Sequence, residues 1–311
     1  MTPIALFSHE PTRGWLPWVW LAPIVLVLFN AVPVVAMDDW MQARGWSTPA
    51  GDPVGLAGLQ ALLWIGFAPT LLLVLAWVRG VERRSMASIG LTGATPLKTF
   101  LRGLAIGCAT ITLVVCSIWA AGGMQAAGFG PAWHSPSGLL QVALLLPAFA
   151  FQSSVEEIMF RGWLLSTLAR KASVPVAVLL VSATFSLLHY SPNQPPLVMV
   201  STVLFSLFAC AWVLRTGNLW GVMGWHAGWN WLLAVGFELP VTGLDAHLPA
   251  LLVALRPQGG DGLTGGAQGP EGSVLCVVFF VLAIAWMAIH RERPKEDRTE
   301  NRENRGKPGR R

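Results

Sequence analysis

The stretch SSVEEIMFRGWLL, Ser153 to Leu165, sets two adjacent carboxylates, Glu156 and Glu157, and one guanidinium, Arg161, among Val, Ile, Met, Phe, Trp and Leu. On either side the chain is still more apolar, so these charges lie inside a hydrophobic run and not at the edge of one. The whole chain has this character: 54% of its 311 residues are hydrophobic, 12% are charged, and the mean hydropathy is +0.56, values far from those of an ordinary soluble domain. Crossing a hydrocarbon layer of about 30 Å takes roughly 20 helical residues. Runs of that order occur near 16–37, 54–78, 101–122, 138–160, 174–190, 197–214, 219–237 and 273–290. The predicted class is therefore all-α, a polytopic helical membrane protein with about eight transmembrane helices.

The segment before Trp15 has no basic patch, short apolar run and small-residue cleavage site in the order of a signal peptide, so the first run is expected to be a retained helix. Of the charged residues, 14 fall in the last 21 positions, a segment without apolar period that is expected to be a disordered cytoplasmic tail. The body then holds 12 Lys or Arg against 11 Asp or Glu, which gives no support to a nucleic-acid partner. Arg79, Arg83, Arg84 and Lys98, then Arg170 and Lys171, then Arg215 occupy alternate loops, whereas the intervening ones carry Arg44 and Arg256 alone. Cytoplasmic loops are the ones enriched in Lys and Arg. This predicts an integral protein of a bacterial cytoplasmic membrane, multi-pass, with both termini cytoplasmic.

Cys108, Cys116, Cys210 and Cys276 all lie in apolar runs, with no CxxC pair, and read as small buried residues. No internal repeat of 20–50 residues is visible. The Gly-rich stretch Arg256 to Gly272 suggests a flexible external loop. The expected organisation is N-terminal transmembrane helices over 1–137, a catalytic core over 138–237, an external loop and last helix over 238–290, and the charged tail over 291–311.

Ionisable groups at membrane depth are costly unless paired or wet, and are functional candidates by default. They are Glu156, Glu157, Arg161, His189 and His226, with Asn230 beside the last; Arg102 and His290 lie at span ends, where they can snorkel. Glu157 and Arg161 are four apart in the favoured order for a helical ion pair, a pairing that could equally be structural. Glu156 is rotated about 100° from Glu157 and is the carboxylate left over. His226 with Asn230, and Phe185 with His189, repeat the spacing of four. Glu156 precedes the turn at Ala172–Ser173 by as many residues as His189 follows it, so both lie about 25 Å along their helices from that turn. His226 and Asn230 lie roughly 15 and 20 Å up the next helix but one from its own turn. One shared pocket satisfies all these heights.

EEIMFR, FSLLH and HAGWN resemble, in order, the EExxxR, FxxxH and HxxxN motifs of the CPBP family of intramembrane proteases, which includes the CAAX prenyl endopeptidases and the Abi, bacteriocin-linked proteins. RSMASIGL before the third span also resembles a segment found there. The resemblance covers roughly 138–237 and implies a CPBP-type helical core with a cavity opening from the cytosol, in which a glutamate-activated water cleaves a peptide bond. It implies Glu156 as general base, His189 as a holder of the water, His226 and Asn230 as stabilisers of the oxyanion, and Glu157, Arg161 and Phe185 as support. No cofactor is required on this reading; zinc held by Glu156, His189 and His226 is the alternative, although no HExxH occurs. A non-catalytic immunity or transport protein is the other class, since membrane Glu and His also relay protons. The expected partners are the lipid bilayer and a membrane-associated, hydrophobic or prenylated peptide or protein substrate, with no oligomeric state assigned.

Overall fold

The computed structural model describes residues 6–7, 11–192, 194–245 and 247–290, and the tail over 291–311 lies outside them. Hydrophobic runs in a bilayer become helices because a backbone without water must pair its own N–H and C=O groups. The elements are α1 (Leu21–Gln42), α2 (Gly55–Val81), α3 (Pro96–Ala120), β1 (Met124–Phe129), α4 (Pro136–Ala169), α5 (Val174–Leu188), α6 (Pro196–Thr216), α7 (Trp220–Trp231), β2 (Val253–Pro257) and α8 (Val274–Ile289). The protein is all-α and polytopic, with one two-stranded ribbon. A helix occupies each of the eight expected places, but only α1, α2, α3, α4 and α6 are by themselves long and apolar enough to cross a membrane. The 15 residues of α5 rise about 22 Å, short of the ~30 Å hydrocarbon layer. The helix stops at His189, inside the level where the cavity begins.

Two departures from the sequence reading concern the loops. β1 pairs antiparallel with β2, Met124 opposite Pro257 and Phe129 opposite Val253, with an irregularity between Ala126 and Gly128. The Arg256–Gly272 stretch, expected to be flexible, is folded: after β2 come a helical turn at Asp261–Thr264 and tight turns at Gly266–Gln268 and Pro270–Gly272. Its Glu271 carboxylate accepts from the Trp229 indole at 2.8 Å and from the Thr242 backbone N–H and hydroxyl at 2.6 and 2.8 Å. A single acidic side chain thus straps the loop to α7.

The packing of α7 is set by small residues, which let helix backbones approach closely where lipid supplies no hydrophobic drive. Gly103 and Gly107 of α3 abut the backbone of Gly221 and Trp225 on α7, and Gly224 and Gly228 of α7 abut the backbone of Phe100 and Leu104 on α3. A Cβ at Gly224 would sit 1.9 Å from the Phe100 carbonyl oxygen, and one at Gly107 2.0 Å from that of Trp225. This contact fixes the height and rotation of the helix that carries His226 and Asn230.

Helix α4 is continuous through the EEIMFR motif, but Ile158–Leu164 is wound as a wider π turn. Similar turns occur at Leu62–Gly66, Trp77–Val81 and Leu232–Gly236. Leu62 and Leu63 line the cavity, and the turns at Ile158 and Leu232 begin two residues after Glu156 and Asn230, a setting in which such turns recur. Below it the segment 84–91 is pinned to α4. Arg84 donates to Glu82 at 2.8 Å, to Thr167 at 2.9 Å and to Ser166 at 2.5 Å, and the Trp163 indole donates to Glu82 at 2.8 Å. Burial pushes the Glu82 carboxyl up, the adjacent Arg84 guanidinium opposing it, and the same burial lowers Arg84. The pair is held by its hydrogen bonds, and losing either partner would strand the other.

Candidate active site

Glu156, His189, His226 and Asn230 line one cavity of about 260 Å³. The antiparallel hairpin of α4 and α5 brings Glu156 and His189 to it, and α7, held by its glycine contact, brings the other two. The height argument thus places the four side chains in one space, as the sequence predicted. Glu157 and Arg161 do not line the cavity; both are fully buried behind it.

The two carboxylates therefore differ in kind. Glu157 Oε1 accepts from Arg161 Nη1 at 3.1 Å and lies 2.9 Å from His226 Nδ1. A carboxylate oxygen flanked by a guanidinium is an acceptor, so His226 Nδ1 carries a proton directed at it. The other imidazole nitrogen, Nε2, lies 3.8 Å from Glu156 Oε2. His226 is thus clamped from behind by Glu157 and presents Nε2 to the cavity beside Glu156. A carboxylate behind the ring that fixes its tautomer and orientation is a recurrent device in sites that use imidazole.

His189 is fixed by another acceptor. Its Nδ1 lies 2.8 Å from the Phe185 carbonyl oxygen, which can only accept, so Nδ1 holds the proton and Nε2 is left with a free lone pair. The Phe185 ring packs tilted against the imidazole, centroids 4.2 Å apart, and its centroid lies 4.5 Å from the Arg161 guanidinium carbon. Phe205 stacks on Phe185 at 5.6 Å and packs edge-on to His226 at 4.8 Å. Aromatic faces lie along the buried cation in place of water.

Three contributors escaped the sequence reading. Gln152, one turn before Glu156, accepts from Asn230 Nδ2 at 3.4 Å and lines the cavity. Phe205 joins the two histidines. Glu271 and its neighbour Gln268 reach the cavity from the loop after α7. Gln152 had a signal, the spacing of four from Glu156; Glu271, in a Gly-rich stretch, had none.

Residues 138–232 match the family model described as type II CAAX prenyl endopeptidase Rce1-like, and these residues hold every motif side chain of the site. The match covers less than a third of the chain, and within it the chain is similar to that family. No curated protein and no solved structure matches the chain. With five helices long and apolar enough to cross a membrane, the chain is an integral membrane protein whose core segment resembles that family.

One expectation carried by the resemblance conflicts with another read from charge. No residue of 79–98, 170–173 or 215–218, the basic loops, lines the cavity, whereas Val241, Thr242, Leu244, Gln268 and Glu271 of the opposite loop do. A Rce1-like cavity opening to the cytosol and cytoplasmic basic loops cannot both hold in this chain.

Proposed function

We propose that the protein is an intramembrane endopeptidase in which Glu156 activates a water for attack on a peptide carbonyl. The observation that carries this is the division of labour between adjacent carboxylates: Glu157 is committed to Arg161 and His226, and Glu156 alone faces the cavity. With Nδ1–H committed to Glu157, His226 Nε2 is a donor in the doubly protonated form of the ring.

Water in the cavity donates one hydrogen bond to the free Nε2 of His189 and the other to Glu156. As its oxygen adds to the carbonyl carbon, the proton passes to Glu156, and negative charge grows on the former carbonyl oxygen. His226 Nε2–H and Asn230 Nδ2–H supply donors for that charge, and preorganised donors of this kind are among the largest single contributions to acyl-transfer catalysis. Breakdown of the tetrahedral intermediate cleaves the C–N bond. Glu156 returns the proton to the leaving amine, and the new acid keeps the water oxygen. Gln152 holds Asn230 in place for this role.

The reading asks for no metal. Among the described residues no three His, Cys, Asp or Glu are grouped so as to hold an ion; the Glu157 carboxylate behind His226 would serve a zinc ligand as well as a hydrogen-bond donor, so chelation of the purified protein decides between the two. The substrate class is a membrane-associated peptide or protein segment. The test is recovery of peptide termini from membranes carrying the wild-type chain or Glu156→Gln at equal abundance. Termini that appear with the wild type alone support hydrolysis, and identical terminal profiles favour an immunity or transport role.

A further inference from the structure

We infer that the substrate reaches the site from the extracytoplasmic face of the membrane and not from the cytosol, so that the peptides cleaved are those exposed on, or inserted from, that face. The inference rests on the endopeptidase reading for its chemistry, but its geometry stands apart from it.

Two independent observations meet here. The first is charge. At the end of the molecule built from the loops 79–98, 170–173 and 215–218, with Arg13 hydrogen-bonded into it through its neighbour Gly14, lie nine described basic residues, Arg13, Arg79, Arg83, Arg84, Lys98, Arg102, Arg170, Lys171 and Arg215, against Glu82. At the other end lie seven acidic residues, Asp38, Asp39, Asp52, Glu238, Asp245, Asp261 and Glu271, against Arg44 and Arg256. A bias of nine to one against two to seven is the kind of asymmetry that orients a polytopic chain with its basic end in the cytoplasm.

The second is the position of the cavity along the helices. It takes Val198, Ser201 and Phe205 from α6; Val198 lies 17 residues, about 25 Å by helical rise, from Arg215 at the basic end. It takes His189 from the far end of α5, and it is walled by Thr242 and Glu271 of the loop on the acidic side. Each helix that lines it, α2, α4, α5, α6, α7 and α8, contributes from its acid-side half or its middle. From the basic end the path to Glu156 is filled by Trp163, Leu164, Leu165 and Leu168, all essentially without exposure, and closed by the Arg84 network. The acidic rim adds attraction for cationic peptides approaching from that side.

The experiment uses the full chain in intact cells and in inverted membrane vesicles, with a membrane-impermeant maleimide. Asp245→Cys stands on the acid-side loop outside the cavity, Lys98→Cys at the basic end, and Gln268→Cys on the cavity wall; Cys210 and Cys276 are buried, but Cys116, expected to be buried, is exposed near the acid-side end of α3, so the chain carrying Cys116→Ser is the blank and the background for all three. The expected result is labelling of Asp245→Cys and Gln268→Cys in intact cells and of Lys98→Cys only in inverted vesicles, with hydrolysis lost when Gln268→Cys is modified from outside. Labelling of Lys98→Cys in cells and of Asp245→Cys only in inverted vesicles overturns the inference. Labelling needs no turnover, so an inactive protein with the expected pattern rejects the peptidase reading and leaves the direction of access standing.

Discussion

Glu157 Oε1 serves two donors, and its neighbour Glu156 none at hydrogen-bond distance among the described residues; the contrast sorts the variants. Glu156→Gln keeps shape and removes the base, so the protein should keep its melting temperature and lose hydrolysis. Arg161→Ala leaves Glu157 and His226 without the buried cation, and breaking a buried pair from one side costs about 3–5 kcal/mol. Its melting temperature should fall together with its activity, as read by thermal denaturation in detergent. Asn230→Ala removes a donor needed only when charge develops on the carbonyl oxygen. Turnover should drop by roughly 10²–10³ with KM little changed, and a rise in KM alone would reassign Asn230 to substrate binding. The residues that meet here were legible because charge in an apolar run is rare and the spacing of four is easily seen. Gln152 follows the same spacing, but a neutral amide in a membrane helix raises no comparable alarm, and Phe205 looks like any other apolar residue of its run.

At the scale of elements, the site depends on how closely α3 and α7 approach. Gly224→Ala puts a methyl group 1.9 Å from the Phe100 carbonyl oxygen, a clash with backbone that only helix separation can relieve; overpacking of this kind costs about 1–3 kcal/mol. Because α7 also carries His226 and Asn230, hydrolysis should fall further than stability does. Gly80→Ala, with nothing within 4 Å of its added Cβ, is the matched control and should change neither. Equal behaviour of the two variants would remove the glycine contact from the account. The helices themselves were plain from hydropathy, and their turns fell at Ala169–Val174 and near Gly217 as the basic residues and Pro175 suggested. The ribbon was not plain. Met124–Phe129 reads MQAAGF, without the β-branched alternation that marks a strand, and pairs with a partner more than 120 residues away. The loop strap by Glu271 is likewise a long-range contact that no local pattern announces.

Across the whole molecule the basic residues gather at one end and the cavity lies toward the other, with residues of the folded loop 238–272 lining it. Charge made the asymmetry visible in the sequence; the location of the cavity along the helices needed the structure, since spacing from the turns gives height but not which loop closes the space. The chemistry assigned to this cavity uses carboxylate, imidazole and amide alone. Exhaustive chelation should leave the rate unchanged, and reversible inactivation restored by zinc would return Glu156, His189 and His226 to a metal. The most direct test of the central claim compares purified wild-type protein and Glu156→Gln, each reconstituted in lipid vesicles with a library of hydrophobic peptides in water enriched in ¹⁸O. The account predicts that the wild type yields fragments whose new carboxyl termini carry ¹⁸O and that Glu156→Gln, folded to the same melting temperature, yields none. Fragments formed at equal rates by both proteins would contradict it.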